Sequence, residues 1–174
     1  LFHFLNKCTT TTGSRNLLHR LKYPFKNPDD VQSSLNKVEE VINTTNLVQE
    51  LVEILRNTAD IDRLLSKAAQ RNLDARGMAW LRQTLITLPL IKKAIESKET
   101  TPSLNLLFSN NEIINALKPL ANLLQNALAD EPAAVIGKGG IIFREGYSKE
   151  LDEAISLTTN FNQMLNELEK VEKD

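Results

Sequence analysis

Gly139-Gly140-Ile141-Ile142-Phe143-Arg144-Glu145-Gly146-Tyr147-Ser148-Lys149-Glu150-Leu151-Asp152-Glu153 is the stretch on which the reading of this 174-residue chain turns. Its first half is glycine-rich and non-helical, and its second half launches the longest unbroken periodic segment. From Ser148 to Val171 there is neither Gly nor Pro. Ser148 has the side chain of an N-cap, and Glu150, Asp152 and Glu153 place negative charge at the positive end of the helix dipole. Leu151, Ile155, Thr158, Phe161, Leu165, Leu168 and Val171 recur every three or four residues, which is one face of a helix. A run of about 25 residues at ~1.5 Å each makes a rod of roughly 37 Å. An apolar row with no following chain to cover it, in a sequence without a starting Met, predicts a piece of something larger.

Everything N-terminal to this stretch reads as shorter helices. Leu1 to Cys8 reads as a helix end, Thr9 to Thr12 as a connector, and Gly13 to Lys22 as a helix with Leu17, Leu18 and Leu21 inward, stopped by Pro24. Asn27-Pro28-Asp29-Asp30 is a strong start signal, with a cap, a proline at the first helical position and two first-turn acids. Val31, Leu35, Val38, Val41 and Ile42 are the predicted buried stripe of that helix. The pattern resumes at Leu47, Leu51, Ile54 and Leu55, and again at Ile61, Leu64, Leu65 and Ala68. Leu73-Asp74 caps a helix through Met78, Leu81, Leu85 and Leu88, with Trp80 alongside; Pro89 kinks or restarts it before Ile91 and Ile95. After a loop at Thr100 to Ser103, Asn110 or Asn111 caps a helix carrying Ile113, Ile114, Leu117, Leu120, Leu123, Leu124 and Leu128, with a bend at Pro119.

Only Asp130 to Tyr147 is clearly non-helical: Pro132 and four glycines punctuate it, and Val135-Ile136 and Ile141-Ile142-Phe143 fit two short strands. The fold class is therefore all-α. A multi-helix core spans residues 1–147, including one short Gly-rich strand-like segment, and a long helix follows over residues 148–174.

Composition excludes several classes. With 41% apolar and 25% charged residues the chain is neither disordered nor membrane-embedded by composition. Its apolar runs are far shorter than the ~18 residues of a membrane helix, and Leu1 to Leu5 is too short for a signal peptide. Cys8 is the one cysteine, which excludes an intrachain disulfide or a cysteine metal cluster and makes a reducing, intracellular setting the default. The net charge is −1, but it is unevenly spread. Residues 1–28 carry five basic side chains and no acid, while residues 145–174 carry eight acids against three lysines. These ends are expected to be solvated faces or to pair with one another.

No residues stand in a catalytic, cofactor-binding or metal-ligating pattern. His3 and His19 have no partner at metal spacing and read as surface or half-buried side chains; Cys8 reads as a small core residue. Gly137-Lys138-Gly139-Gly140 copies the wording of the GXXG loop of KH domains, which clamps single-stranded nucleic acid. However, Gly146 falls where a KH helix would run and one long helix follows, so a glycine-rich turn is the stronger reading. The phosphate-loop pattern G-x-x-x-x-G-K-[ST] is absent. Arg15 is expected to form an ion pair within the domain, for example with an acid of the last helix, and Asp60 with Arg63 a local pair or cap. If the chain touches phosphates at all, Arg15, Arg20 and Lys22 are the candidates.

Taken in order, these residues resemble a known family. Leu5-Asn6-Lys7-Cys8, Thr10, Gly13-Ser14-Arg15 with Leu17 and Leu21, and Pro24 are similar to the start of the core (lever) domain of MutS-type DNA mismatch repair proteins. Val38-Glu39, the tetrad Asp60-Ile61-Asp62-Arg63, then Gly139-Gly140, Gly146-Tyr147 and Leu151-Asp152-Glu153 continue the resemblance over essentially all 174 residues. Members often carry Pro and Met where Thr11 and Thr12 stand, Trp near Arg20 and Arg at Ser34, which leaves the branch of the family open.

The resemblance implies a structural motif made of Gly13, Ser14, Arg15, Pro24, Asp60, Arg63, Gly140, Gly146, Tyr147, Leu151 and Asp152. It also implies a lever that couples an ATPase domain to a DNA clamp elsewhere in the same chain, the helix from Ser148 climbing towards that clamp. The parent protein would bind mismatched double-stranded DNA, use ATP and Mg, act as a dimer and reside in the bacterial cytoplasm at the nucleoid, with no membrane partner. The segment itself would hold no cofactor and catalyse nothing. From the residues alone, a stand-alone helical protein–protein interaction module is the other reading.

Overall fold

Helix starts follow the caps written in the sequence. In the computed structural model, which describes residues 1–98, 102–108, 111–134 and 140–173 (side chains of 163 and 165–173 excepted), the described elements are helical and no strand occurs among them. Helix α1 is a single turn, Phe2–Leu5. Helix α2 (Thr11–Lys22) begins two residues earlier than its threonine run suggests, because the Thr10 hydroxyl accepts the N–H of Gly13 at 3.0 Å. Asn27 caps α3 (Pro28–Asn43) through the N–H of Asp29, and Asp74 caps α6 (Ala75–Glu96) through the N–H of Gly77. Between them lie α4 (Leu47–Leu55) and α5 (Ile61–Ala69), the latter capped by Asp60. Neither Pro89 nor Pro119 divides its helix: α6 runs 22 residues and α8 (Asn111–Ala127) runs 17. Asn110, the other expected cap of α8, lies outside the described residues, as do Thr100 and Thr101. The rest of that predicted loop is helical, since Pro102 and Ser103 open the short α7 (Pro102–Asn105), followed by a 3-10 turn over Leu106–Phe108.

Helix α6 is the spine. On one side it packs on α4 and α7, where Leu47, Ile95 and Leu104 form a buried cluster with Val41, Leu51, Ile91 and Phe108 against it. On another, Leu85 and Leu88 face Ile114, Leu117 and Ala121 of α8. Thr84, 2% exposed, ties the α4–α5 connection to the spine: its hydroxyl accepts the N–H of Ala59 at 2.9 Å and donates to the carbonyl of Trp80.

Helix α7 is held from a distance in sequence. The Glu40 carboxylate on α3 accepts the N–H groups of Ser103 and Leu104, at 2.8 and 3.0 Å, and so caps α7 in trans. Burial works against the charged form of Glu40, but the bonds from the Ser103 side chain and from the N–H groups of Ser103 and Leu104 outweigh it, with help from Lys37, and hold the carboxyl below its usual range. A depressed folded-state pKa stabilises fully above the unfolded value and is lost as pH falls through the folded one. Urea unfolding at pH 7 and pH 3 is expected to show a smaller acid loss for Glu40→Gln than for the parent sequence, the two converging at the acid end. Parallel pH profiles would refute this role.

Several faces read as buried are open. Val31, Leu35, Val38 and Ile42 are 39–72% exposed, and of the predicted α3 stripe only Val41 reaches the core. The reason is geometric: α3 meets α4 and α7, whereas its exposed row joins Arg20, Pro24 and Phe25 along an open groove. Leu21, Ile113, Leu120 and Leu123 are likewise exposed, and Cys8 is an exposed free thiol rather than a core residue. Of the two short strands expected in the glycine-rich stretch, Val135-Ile136 lies outside the described residues. Ile141 to Phe143 forms one isolated antiparallel bridge, Leu128 with Phe143, instead of a strand.

Candidate functional site

Among the described residues, two charged clusters and one turn stand out. The first cluster gathers Arg15, Asp60 and Asp62. Asp60 Oδ1 accepts the N–H of Arg63 at 3.3 Å, starting α5, and the Arg15 guanidinium donates to Asp60 Oδ1 at 2.9 Å and to Asp62 Oδ2 at 2.8 Å. Arg15 thus pairs across the body, not with the last helix. Among the described residues no ion pair joins residues 1–28 to residues 145–173. The Asp60 side chain is only 8% exposed, and among the described residues its Oδ2 has no hydrogen-bond partner and Arg15 is its one countercharge within ion-pair distance. Because Arg15 itself is 45% exposed, solvent screens the pair, and Arg15→Ala is expected to cost about 1.5 kcal/mol in urea unfolding. A cost below about 0.3 kcal/mol would show the cluster to be ornamental.

Gly13 and Ser14 lie in the first turn of α2, where the Ser14 hydroxyl donates to Asn6 Oδ1. Pro24 follows the end of α2. Arg20 donates to the Ser34 hydroxyl at 2.8 Å and lies 4.6 Å over the Phe25 ring, so it is spent on α3, whereas Lys22 is exposed in the last turn of α2. Two of the three phosphate candidates, Arg15 and Arg20, are thus engaged by protein partners. Gly137, Lys138 and Gly139 of the KH-like wording lie outside the described residues; Gly140 has φ +99°, a left-handed conformation that favours glycine. His3 and His19 are exposed. Among the described residues no three His, Cys, Asp or Glu side chains come together as a metal site, and no helix is long and apolar enough to cross a membrane.

The second cluster was not legible in the sequence. Arg82, 8% exposed on the inner face of α6, donates to three backbone carbonyls just beyond α8: Leu128 at 3.2 Å, Ala129 at 3.0 Å and Asp130 at 2.9 Å. These carbonyls lie at the negative end of the α8 dipole, where a guanidinium fork suits both charge and spacing. Its one sequence signal is a charge set between Leu81 and Leu85 on an otherwise apolar face. Opposite Arg82, Arg144 donates to the Asp130 carboxylate at 2.7 Å. Backbone bonds from Ala129 to Ile142 and from Arg144 to Ala127 complete the link between the end of α8 and the approach to the last helix, α9 (Lys149–Lys173).

That approach is the third feature. Gly146 adopts φ +83°, and its N–H donates to Asp152 Oδ2 at 2.9 Å. The Ser148 hydroxyl accepts the N–H of Leu151 at 3.3 Å, and Tyr147 stacks on Phe143 with ring centroids 5.8 Å apart. The structure therefore brings Gly146, Tyr147, Leu151 and Asp152 together at the base of α9. Beyond it, Ile155, Leu157, Phe161 and Met164 are 47–69% exposed.

Comparison with known proteins fits this arrangement. A family model described as MutS domain III matches residues 1–173. The whole chain aligns with the DNA mismatch repair protein MutS of Halothermothrix orenii at 33% identity, covering 19% of that protein. It aligns at 31% with the MutS of Clostridium novyi and at 30% with that of Clostridium botulinum strain 657, covering 19% and 18% of them. The chain thus spans about a fifth of the length of the curated relatives it matches.

Proposed function

The chain belongs to the MutS domain III family, and on that premise we propose that it is the lever of a mismatch-repair protein, transmitting nucleotide state to the grip on DNA. The observation that carries this is α9: a helix of 25 residues fastened to the body at its base while the apolar side chains described along it, Ile155, Leu157, Phe161 and Met164, stand open to solvent. Burying a large apolar side chain is worth roughly 1.5–3 kcal/mol, so an open row of this kind calls for a partner. The partner proposed is a returning segment of the same polypeptide beyond residues 1–174. The whole protein then supplies what this domain does not: a clamp that closes on mismatched double-stranded DNA, an ATPase that takes ATP with Mg, and a second subunit. Its setting is the cytoplasm, at the nucleoid. The 174-residue chain alone would hydrolyse no ATP, and its contact with duplex DNA, through Arg20 and Lys22 with Arg15 partly engaged, would be weak, salt-sensitive and blind to mismatches.

Coupling is what distinguishes a lever from a passive spacer. In the full-length protein, Thr158→Gly with Thr159→Gly loosens α9 at its middle, each glycine lying about 1 kcal/mol below alanine and a few tenths below threonine in helix propensity. DNA binding and basal ATP turnover should persist while ATP-driven release from DNA is lost. A variant that releases DNA on ATP as well as its parent does would exclude the lever. A full-length protein in which α9's row docks a separate protein's helix, without ATP dependence, would favour an interaction module instead.

A further inference from the structure

We infer that the base of α9 is a latched hinge, with Gly146 as its pivot and the hydrogen bond from Gly146 N–H to Asp152 Oδ2 as its latch. The inference rests on the lever reading and adds the place where the lever bends and the group that holds it.

The two sides of Gly146 are fastened independently. On the body side, Arg144 is bound to the carboxylate of Asp130 and by its N–H to the carbonyl of Ala127, while Arg82 clamps the carbonyls of residues 128–130. On the helix side, Ser148 caps the first turn of α9 through the N–H of Leu151, and the N–H of Asp152 returns to the carbonyl of Ser148. Between these blocks stand Glu145, Gly146 and Tyr147, all exposed. At Gly146 the backbone is left-handed, and a Cβ built there would meet nothing within 4 Å. Neighbouring packing therefore does not hold this residue in place, and glycine passes between conformations closed to other residues. Hinges of this kind are a few loop or element-terminal residues that absorb the dihedral change.

Among the described residues, three hydrogen-bond or ring contacts cross the pivot. The N–H of Tyr147 donates to the carbonyl of Arg144 at 3.1 Å, and Tyr147 lies parallel to Phe143. Both join Tyr147, next to the pivot, to Arg144 and Phe143 on the body side; they shape the turn and do not reach into α9. The third, from Gly146 N–H to Asp152, reaches into the first turn of α9 and fixes the helix axis relative to the turn. Asp152, like Leu151, is half-buried. It is thus a positioning residue: it acts on the direction of α9 and touches no ligand. Losing it would free the angle of the helix without removing anything from the core around Leu47 or the α6–α8 seam.

The test is a pair of spin labels on the 174-residue chain, at Lys93 on α6 and Asn160 on α9, both exposed, in a Cys8→Ser background because Cys8 is an accessible thiol. No nucleotide or DNA is present, so the result is independent of whether the whole protein couples ATP to DNA. The unsubstituted chain is expected to give one narrow distance distribution. Asp152→Ala should broaden it about twofold while helical content by circular dichroism and the unfolding midpoint of the body stay the same. Asp152→Asn, which keeps an acceptor for the Gly146 N–H but loses the charge, should stay narrow. A distribution already broad before substitution, or one that Asp152→Ala leaves narrow, would overturn the hinge. Equal broadening by Ala and Asn would also overturn it, because Asp152 would then be acting through its charge on the helix dipole and not as a latch. Failure of the lever with a working hinge would appear differently, as normal ATP-driven DNA release in the glycine-substituted full-length protein.

Discussion

Arg82→Ala is expected to lower the unfolding free energy by about 3 kcal/mol, because the part-buried carbonyls of Ala129 and Asp130 would lose their charged donor and the buried one of Leu128 would keep only the long bond from Arg144 Nε at 3.5 Å. For a domain of this size that corresponds to a fall of roughly 6–12 °C in midpoint. Arg82→Lys should recover only about half of the loss. The fork spreads over two nitrogens, one serving Leu128 and Ala129 and the other Asp130, and a single ammonium on a longer stem does not span them. Urea unfolding with an unchanged m-value reads this directly. If Ala and Lys both cost under about 0.5 kcal/mol, the joint between α6 and the end of α8 is held by something else.

The second large effect belongs to Leu47, the first residue of α4 and fully buried at 0% exposure. It sits where α3, α4, α6 and α7 converge, against Ile95 and Leu104. Leu47→Ala should cost about 3 kcal/mol, the usual sum of lost burial and an uncollapsed cavity. Leu35→Ala is the matched control: the same deletion at a side chain 54% exposed should cost less than about 0.5 kcal/mol in the 174-residue chain. Equal losses at the two sites would mean that the α3 row is buried after all.

That contrast shows what the sequence carried and what it did not. Period, caps and punctuation are local, and they placed the helices well: Asn27, Asp60, Asp74 and Ser148 each receive the N–H that a cap should receive. Burial is not local. The row Val31, Leu35, Val38 and Ile42 has the period of a buried face, yet the period only marks that a face is apolar, not what lies against it. Leu117 faces α6, whereas Leu120, on the same helix, is exposed. Tertiary ion pairs were partly legible. Arg15 stood out as a cation in the first turn of its helix, but its acids lie 45 and 47 residues away, at Asp60 and Asp62. Glu40 left no trace in the sequence, since the N–H groups it caps are more than 60 residues distant. Arg82 left only the faint sign of a charge on an apolar face. The base of α9 was readable as a glycine turn followed by a capped helix. That the turn's own N–H is held by Asp152 emerged only in three dimensions.

Movement of α9 against the body in the full-length protein tests the central claim most directly. With fluorophores on α6 and α9 and DNA bound, energy transfer is recorded before and after ATP is added. The lever reading predicts that the α6–α9 distance changes with nucleotide and that the change precedes release of DNA. Release of DNA on ATP with that distance unchanged would contradict it.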